Sequence, residues 1–557
     1  MPGKHQVPYV QSNDHKFGMV MPEPASTRAS TWFRGHAELL SWAAVATLLT
    51  LHAVRLARFA VDWPFHDDFT QILAVPGYLA HMPTLPERLA YVFSLSIEHR
   101  IATLRIAGWL GSLAPGGLDF RLLILIGNGL AAVAGALLVM LFPSRQRALA
   151  ALVATLLLTS ATHYGAQYWA TGALAHFGVC TYAMVALFAA ARGHSLVAAA
   201  AALAAVFTAA NGLMVVPAAV LLLAMSGRRR EAVVWALVGG ALFALYFVGY
   251  ETPAGRMSAL EVLREPARLV AFGLATLGSF GDAEAVAIAI GLAIVLCWLG
   301  LVVTGGWRRV PPVAIAAMLF FALTCAAVAL GRAALGAEAA TQSRYRVYSA
   351  AAILLTLAAV LRSASARRRV VVVGAAVVVA AVAHVWGGMR SMPYMIELSS
   401  LLRASRDHYA AAGHGFYPGF PPPEFGDYVL GRARDIGAYD GLRHASAPII
   451  TTGGAPSDGG EPLLFSSHVY ANGRVLSIVG MMGGRHRAAT LWLDDDRAAF
   501  RAELGTVRCM GPDWDARRTV FRGTVDVAIL PPGRYRVGYD GGAGSGVVWT
   551  GQQVRLR

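Results

Sequence analysis

Between residues 37 and 388 the chain repeats one feature that leaves few folds open: long apolar runs separated by short polar connections. Each run approaches the roughly 20 helical residues that cross a hydrocarbon core. Backbone inside a bilayer must satisfy its own polar groups, so such runs become helices. One run alone could be a secretory leader, but a series cannot. Composition agrees, with 56% of the 557 residues hydrophobic and 14% charged, a charge content well below that of soluble domains. The sequence therefore predicts an α-helical polytopic membrane protein.

The formal charge of +15 raises nucleic acid as a partner, and the placement of the arginines argues against it. They cluster between apolar runs: Arg145 and Arg147, Arg192, Arg228 to Arg230, Arg308 and Arg309, and Arg362 with Arg367 to Arg369. That is the pattern of cytoplasmic loops, and no basic stripe with interleaved aromatics accompanies it. Cys180, Cys297, Cys325 and Cys509 share no metal-ligand or CxxC spacing and read as small core residues.

Threading the chain by the positive-inside rule gives about eleven transmembrane helices. Residues 1–36 are expected to form a disordered cytoplasmic start, 37–388 a multi-spanning domain with an external loop at 61–121, and 389–445 a linker and irregular external segment. The run 196–225 has arginines at both ends, so it is expected to be two short helices meeting at a tip near Asn211. Residues 251–282 are expected to hold a helix lying at the outer surface or dipping into it. From 446 to 557, short alternating segments such as "ATLWLD" and "GRYRVGY" predict an extracytoplasmic β-sandwich. Its aromatics, Trp492, Trp514 and Trp549, are expected to pack its core.

On this topology the polar residues outside the arginine clusters gather on the external side. The stretch "DWPFHDDF" supplies Asp62, His66, Asp67 and Asp68, and "IEHR" supplies Glu98, His99 and Arg100. The turn "THYGAQYW" supplies Gln167 and Trp169, while "GRAALGAEAATQSRYR" supplies Arg332, Arg344, Tyr345 and Arg346. External arginines run against the charge rule and call for a partner. Phosphate fits, because the guanidinium fork binds its oxygens bidentately. A carboxylate beside it can take a proton from an attacking hydroxyl, and the arginines can stabilise a departing phosphate. The pair Asp67 and Asp68 can alternatively hold a divalent cation such as magnesium or manganese. The bland readings are an N-cap for the aspartates, interface anchoring for the arginines, and interhelical hydrogen bonding for Gln167 and Asn211.

"DDF" directly after the first spanning helix, then "EHR", then "GR" with "SRY", on a multi-spanning scaffold with a C-terminal extracytoplasmic domain, resembles the GT-C superfamily of polyprenyl-phosphate-sugar glycosyltransferases. The resemblance covers about residues 37–390. It implies an inverting glycosyltransferase of the bacterial inner membrane, moving a sugar from a polyprenyl-phosphate donor to a glycan, lipid or protein acceptor. Asp67 or Asp68 would be the base. Arg332, Arg344 and Arg346 would hold the lipid phosphate, with Glu98, His99, Arg100, Gln167 and Tyr345 lining the substrate site. Two rivals remain: a transporter or lipid-linked-oligosaccharide flippase, which would need ionisable groups at mid-membrane, and a non-catalytic assembly protein.

Overall fold

The computed structural model describes residues 25–251, 257–417, 420–444, 451–452, 464–472, 475–483, 489–495, 499–510, 517–527, 530–541 and 547–556. Most of the expected disordered start lies outside these residues, and from Ala25 the chain is already helical. The helices of eight residues or more are α1 (Ala25–Phe59), α2 (Ala74–His81), α3 (Leu85–Phe93), α4 (Ala102–Ser112), α5 (Phe120–Met140), α6 (Arg147–Leu158), α7 (Ala170–Ala191), α8 (Ser195–Val206) and α9 (Val215–Met225). They continue as α10 (Arg229–Tyr246), α11 (Pro266–Leu277), α12 (Glu284–Val303), α13 (Pro312–Arg332), α14 (Arg346–Ser363), α15 (Ala366–Ala412) and α16 (Pro423–Asp435).

Seven of them, α1, α5, α7, α12, α13, α14 and α15, are long and apolar enough to cross a membrane. The number becomes eight if α6 and the bent segment after it form one span. That is fewer than the expected eleven, for local reasons. The run 196–225 does break at Asn211, so neither α8 nor α9 has spanning length. Arg229, Arg230 and Glu231 occupy the first turn of α10 and shorten its apolar part. Helix α11, too short to span, packs against α12 and α13. Glycine makes that approach close: a Cβ on Gly291 would stand 2.0 Å from the Leu274 carbonyl oxygen.

Helix α6 ends inside the bundle and bends by 44° into the next segment. A helix end leaves its last carbonyls without partners, and within a membrane no water repairs them. Here four side chains do. The carbonyl of Leu156 accepts from His384 at 2.8 Å, that of Leu157 from His163 at 2.9 Å, and that of Leu158 from Gln167 at 3.1 Å. The Thr159 carbonyl accepts from Arg55.

The basic clusters meet at one end of the bundle. Arg362 bonds the Leu141 carbonyl at 3.0 Å and Arg309 that of Ser363 at 3.2 Å. The other end carries residues 61–118, the second half of α15 and the strand-rich region. Helix α15 is 47 residues long and runs through Pro393, so residues 389–412 are helical where the sequence suggested an irregular segment. The reason is a buried stripe, Ser391, Met395, Ile396, Ser399, Leu402 and Tyr409, whose helical spacing outweighs one proline. This stripe docks the helix: Trp63 donates to Ser405 at 3.0 Å, and His408 bonds Ser477 at 2.9 Å.

The chain's first two strands, β1 (Leu95–Ser96) and β2 (His99–Arg100), form a two-stranded hairpin. The strand-rich region holds β3 (Thr451–Thr452), β4 (Leu464–Asn472), β5 (Val475–Gly483), β6 (Ala489–Asp494), β7 (Ala499–Met510), β8 (Arg517–Asp526), β9 (Gly533–Asp540) and β10 (Val548–Leu556). All pairings there are antiparallel, in the order β10-β9-β6-β7-β8-β5-β4. The long β7 pairs with β6 through Leu504 and with β8 from Gly505. Alternating residues of these strands, including Leu491, Leu504, Phe521, Tyr535 and Tyr539, make one apolar core. Trp492 is buried and donates to Asp540, whereas Trp514 falls outside the described residues.

Candidate functional site

Near the end of the bundle that carries the strand-rich region lies a cavity of about 520 Å³. Its wall brings together Asp67, Glu98, His99, Arg332, Arg344 and Tyr345. They arrive from five segments: the loop after α1, the β1–β2 hairpin, the end of α13, the turn Ser343–Tyr345 and the start of α7. The last of these contributes Thr171 and His176. Two π-helical turns, Phe69–Leu73 and Ala173–Phe177, border the space. Such turns widen a helix locally and recur at functional sites.

The neighbours Asp67 and Asp68 are placed very differently. Asp68 is 1% exposed and absent from the cavity wall. One of its oxygens accepts from the Thr171 amide at 2.8 Å and the other from the Phe65 amide at 3.0 Å. It pins the loop to the start of α7, and burial pushes its carboxyl up to about 7. Asp67 faces the cavity, and among the described residues no hydrogen bond or ion pair engages its carboxylate. Burial raises its pKa, opposed by the charges of His66, Arg344 and Arg332. His66 between the two elements holds φ at 51°, a left-handed conformation uncommon for residues other than glycine.

Glu98 is aimed by a strained turn. Ser96 pairs with His99, which makes Ile97 and Glu98 the two central residues of a tight hairpin. Ile97 takes φ of 57°, at a position that glycine normally fills and a β-branched residue rarely adopts. Held there, Glu98 pairs with Arg332 at 3.3 Å. His99 accepts from the Ala210 amide on Nδ1 at 3.4 Å, so its neutral ring carries the proton on Nε2, 3.9 Å from Glu98. Burial, with Arg332 adding to it, lowers its pKa to about 4.

Arg344 and Trp169 present unused donors. The Nε atoms of both, Nε on Arg344 and Nε1 on Trp169, are buried without a hydrogen-bond partner, and both residues line the cavity. Orphaned buried donors are costly, so a ligand that accepts from them is favoured. Deeper in, His176 bonds the Tyr348 hydroxyl at 2.9 Å, and that hydroxyl accepts from Asn211 at 3.3 Å. Phe243, Phe247, Met257, Val328 and Leu330 form an apolar flank beside this polar end.

Three other residues expected at the site lie elsewhere. Arg100 donates to the carbonyls of Tyr246 at 2.9 Å, Phe93 at 2.8 Å and Val248 at 2.7 Å, joining the ends of α3 and α10. Gln167 is among the four side chains on the α6 carbonyls. Arg346 pairs with Asp282 at 2.7 Å, on the far side of the turn from Arg344. His176, Tyr348, Thr171 and Gln71 line the cavity without having been singled out from the sequence; His176 and Thr171 are isolated polar residues in an apolar stretch, and Gln71 and Tyr348 are overshadowed by the charged residues just before them. Among the described residues no three His, Cys, Asp or Glu side chains converge on a metal position. The carboxylates that face the cavity are Asp67 and Glu98.

Comparison of the chain with protein-family models, with curated proteins and with solved structures finds no match.

Proposed function

We propose that the protein is a membrane glycosyltransferase of GT-C type, using a polyprenyl-phosphate-linked sugar at the extracytoplasmic face of a bacterial inner membrane. One observation carries the reading: an unpartnered Asp67 carboxylate and an unpartnered Arg344 Nε face the same cavity. Asp67 is the base. It takes the proton of an acceptor hydroxyl as that oxygen bonds the anomeric carbon. The bond from that carbon to the phosphate oxygen breaks with inversion, and the lipid phosphate leaves with the electron pair. Arg344 stabilises the phosphate, joined by Arg332 once Glu98 yields it. The apolar flank from α10 and α13 suits the lipid chain. A magnesium or manganese ion would find Asp67 open and both oxygens of Asp68 already engaged.

In this reading the strand-rich region is a β-sandwich whose two ladders share β7, and the shorter helices α8, α9 and α10 complete a count near eleven. Transport is less well supported, since Arg55, His163, Gln167 and His384 inside the spans are occupied with the α6 carbonyls. A pure assembly role gives no reason for the orphaned donors.

Paired variants expressed in cells lacking the wild-type gene test this, read out as the surface-glycan profile and the lipid-linked sugar pool. Asp67→Asn should fold normally and lose transfer by about 10²-fold or more. Asp68→Asn should lose about 1–3 kcal/mol of stability, because its amide cannot accept from both backbone N–H groups. Full transfer by a normally expressed Asp67→Asn variant would end the catalytic reading.

A further inference from the structure

Away from the cavity, at the same end of the bundle, arginines from four elements meet in a cluster that holds more cations than acids. Arg58 ends α1, Arg121 opens α5, Arg403 lies on the second half of α15, and Arg522 lies on β8. Arg403 donates to the carbonyl of Arg58. The strongest charges acting on the Arg403 guanidinium are those of Arg522, Arg406, Arg121 and Arg58, all of its own sign. Among the described residues none of Arg58, Arg121, Arg403 and Arg522 forms an ion pair, and Arg121 Nε is buried without a hydrogen-bond partner.

The acids nearby offset only part of this charge: Asp407 acts on Arg522 and Asp62 on Arg121. Asp407 binds Arg406 at 2.8 Å. Asp62 accepts from the Phe120 amide at 2.9 Å, and Asp119 from the amides of Arg121 and Leu122 at 2.8 and 3.2 Å. With Arg406 the cluster sets five arginines against Asp62, Asp119 and Asp407, an excess of positive charge that a bound anion neutralises. Its surroundings say which kind. Val54 and Leu51, four and seven residues before Arg58, are exposed apolar residues, as is Leu125, four residues after Arg121. Those spacings put them on the same helix faces as the arginines. The cations therefore crown apolar stripes on two membrane-spanning helices, where a headgroup sits above its acyl chains.

We propose that Arg58, Arg121, Arg403 and Arg522 form a binding site for the phosphate headgroup of an anionic phospholipid, separate from the cavity. The site clamps α1, α5, α15 and the strand-rich region together.

The full-length protein in detergent micelles, offered phosphatidylglycerol against phosphatidylcholine, tests this by native mass spectrometry and thermal unfolding. Phosphatidylglycerol should be retained preferentially and should raise the melting temperature, whereas soluble glycerol 3-phosphate should do neither. Arg58→Gln and Arg121→Gln should each weaken retention about fivefold. Without anionic lipid, Arg58→Gln should not melt below the wild type, since removing one of several like charges relieves repulsion. If a variant folds poorly, the wild-type comparison of the two lipids still decides. Equal retention of both lipids, unchanged preference in Arg58→Gln, or equal stabilisation by glycerol 3-phosphate would overturn the lipid site.

Discussion

Two adjacent aspartates illustrate how little side-chain identity alone says about role. Asp67 and Asp68 differ in what their oxygens meet: two backbone amides for Asp68, a cavity for Asp67. In the proposed mechanism Asp67 works ionised, so activity is lost as pH falls through its folded-state pKa. Burial raises that pKa above the ordinary 3.8, while Arg344 and Arg332 hold it down. Removing a cation from this balance raises it further. Arg344→Gln should therefore move the acid limb of the kcat/KM profile to higher pH as well as lower its plateau. A lower plateau with an unmoved acid limb would show that Arg344 does not act on the base. Arg346 gives a contrast. Two residues apart on a helical turn means roughly 200° of rotation, which is why Arg344 faces the cavity and Arg346 faces Asp282.

At the scale of elements, the strongest local logic is the broken end of α6. Its four side-chain donors come from α1, from α15 and from the segment just beyond the break, so three parts of the chain are tied to one helix terminus. Gln167→Leu should leave the Leu158 carbonyl unpaired and lower stability by about 1–3 kcal/mol. The pH profile of activity should stay where it is, since Gln167 does not line the cavity. Unfolding in detergent checks the first point, and an unchanged melting temperature would remove Gln167 from this role. Much of the element pattern was legible in the sequence: the spanning runs, the break at Asn211 and most strand segments. Acid and arginine residues at the ends of apolar runs also marked the neighbourhood of the cavity. The rest depended on partners distant in the chain. Nothing near Gln167 or Arg100 announces a helix end to be capped, and residues 389–412 read as irregular because the stripe holding α15 together becomes visible only against β5 and β8.

For the whole molecule, the hydrogen bonds define two ends, and the proposed function requires a particular one of them outside. The basic end is tied by Arg362 to Leu141 and Arg309 to Ser363. The opposite end holds the cavity, α16 and the strand-rich region, joined through Trp63, Ser405 and His408. A glycosyltransferase drawing on an extracytoplasmic lipid-linked donor needs the cavity end outside. In a variant without native cysteines, Tyr428→Cys on α16 and Arg368→Cys at the start of α15 are both exposed positions. A membrane-impermeant thiol reagent added to intact cells should label Tyr428→Cys at once and Arg368→Cys only after permeabilisation. The reverse order would put the cavity on the cytoplasmic side, where an ordinary nucleotide sugar becomes the natural donor and the lipid-linked one loses its rationale. Labelling of both from one side would contradict the arrangement of the helices themselves.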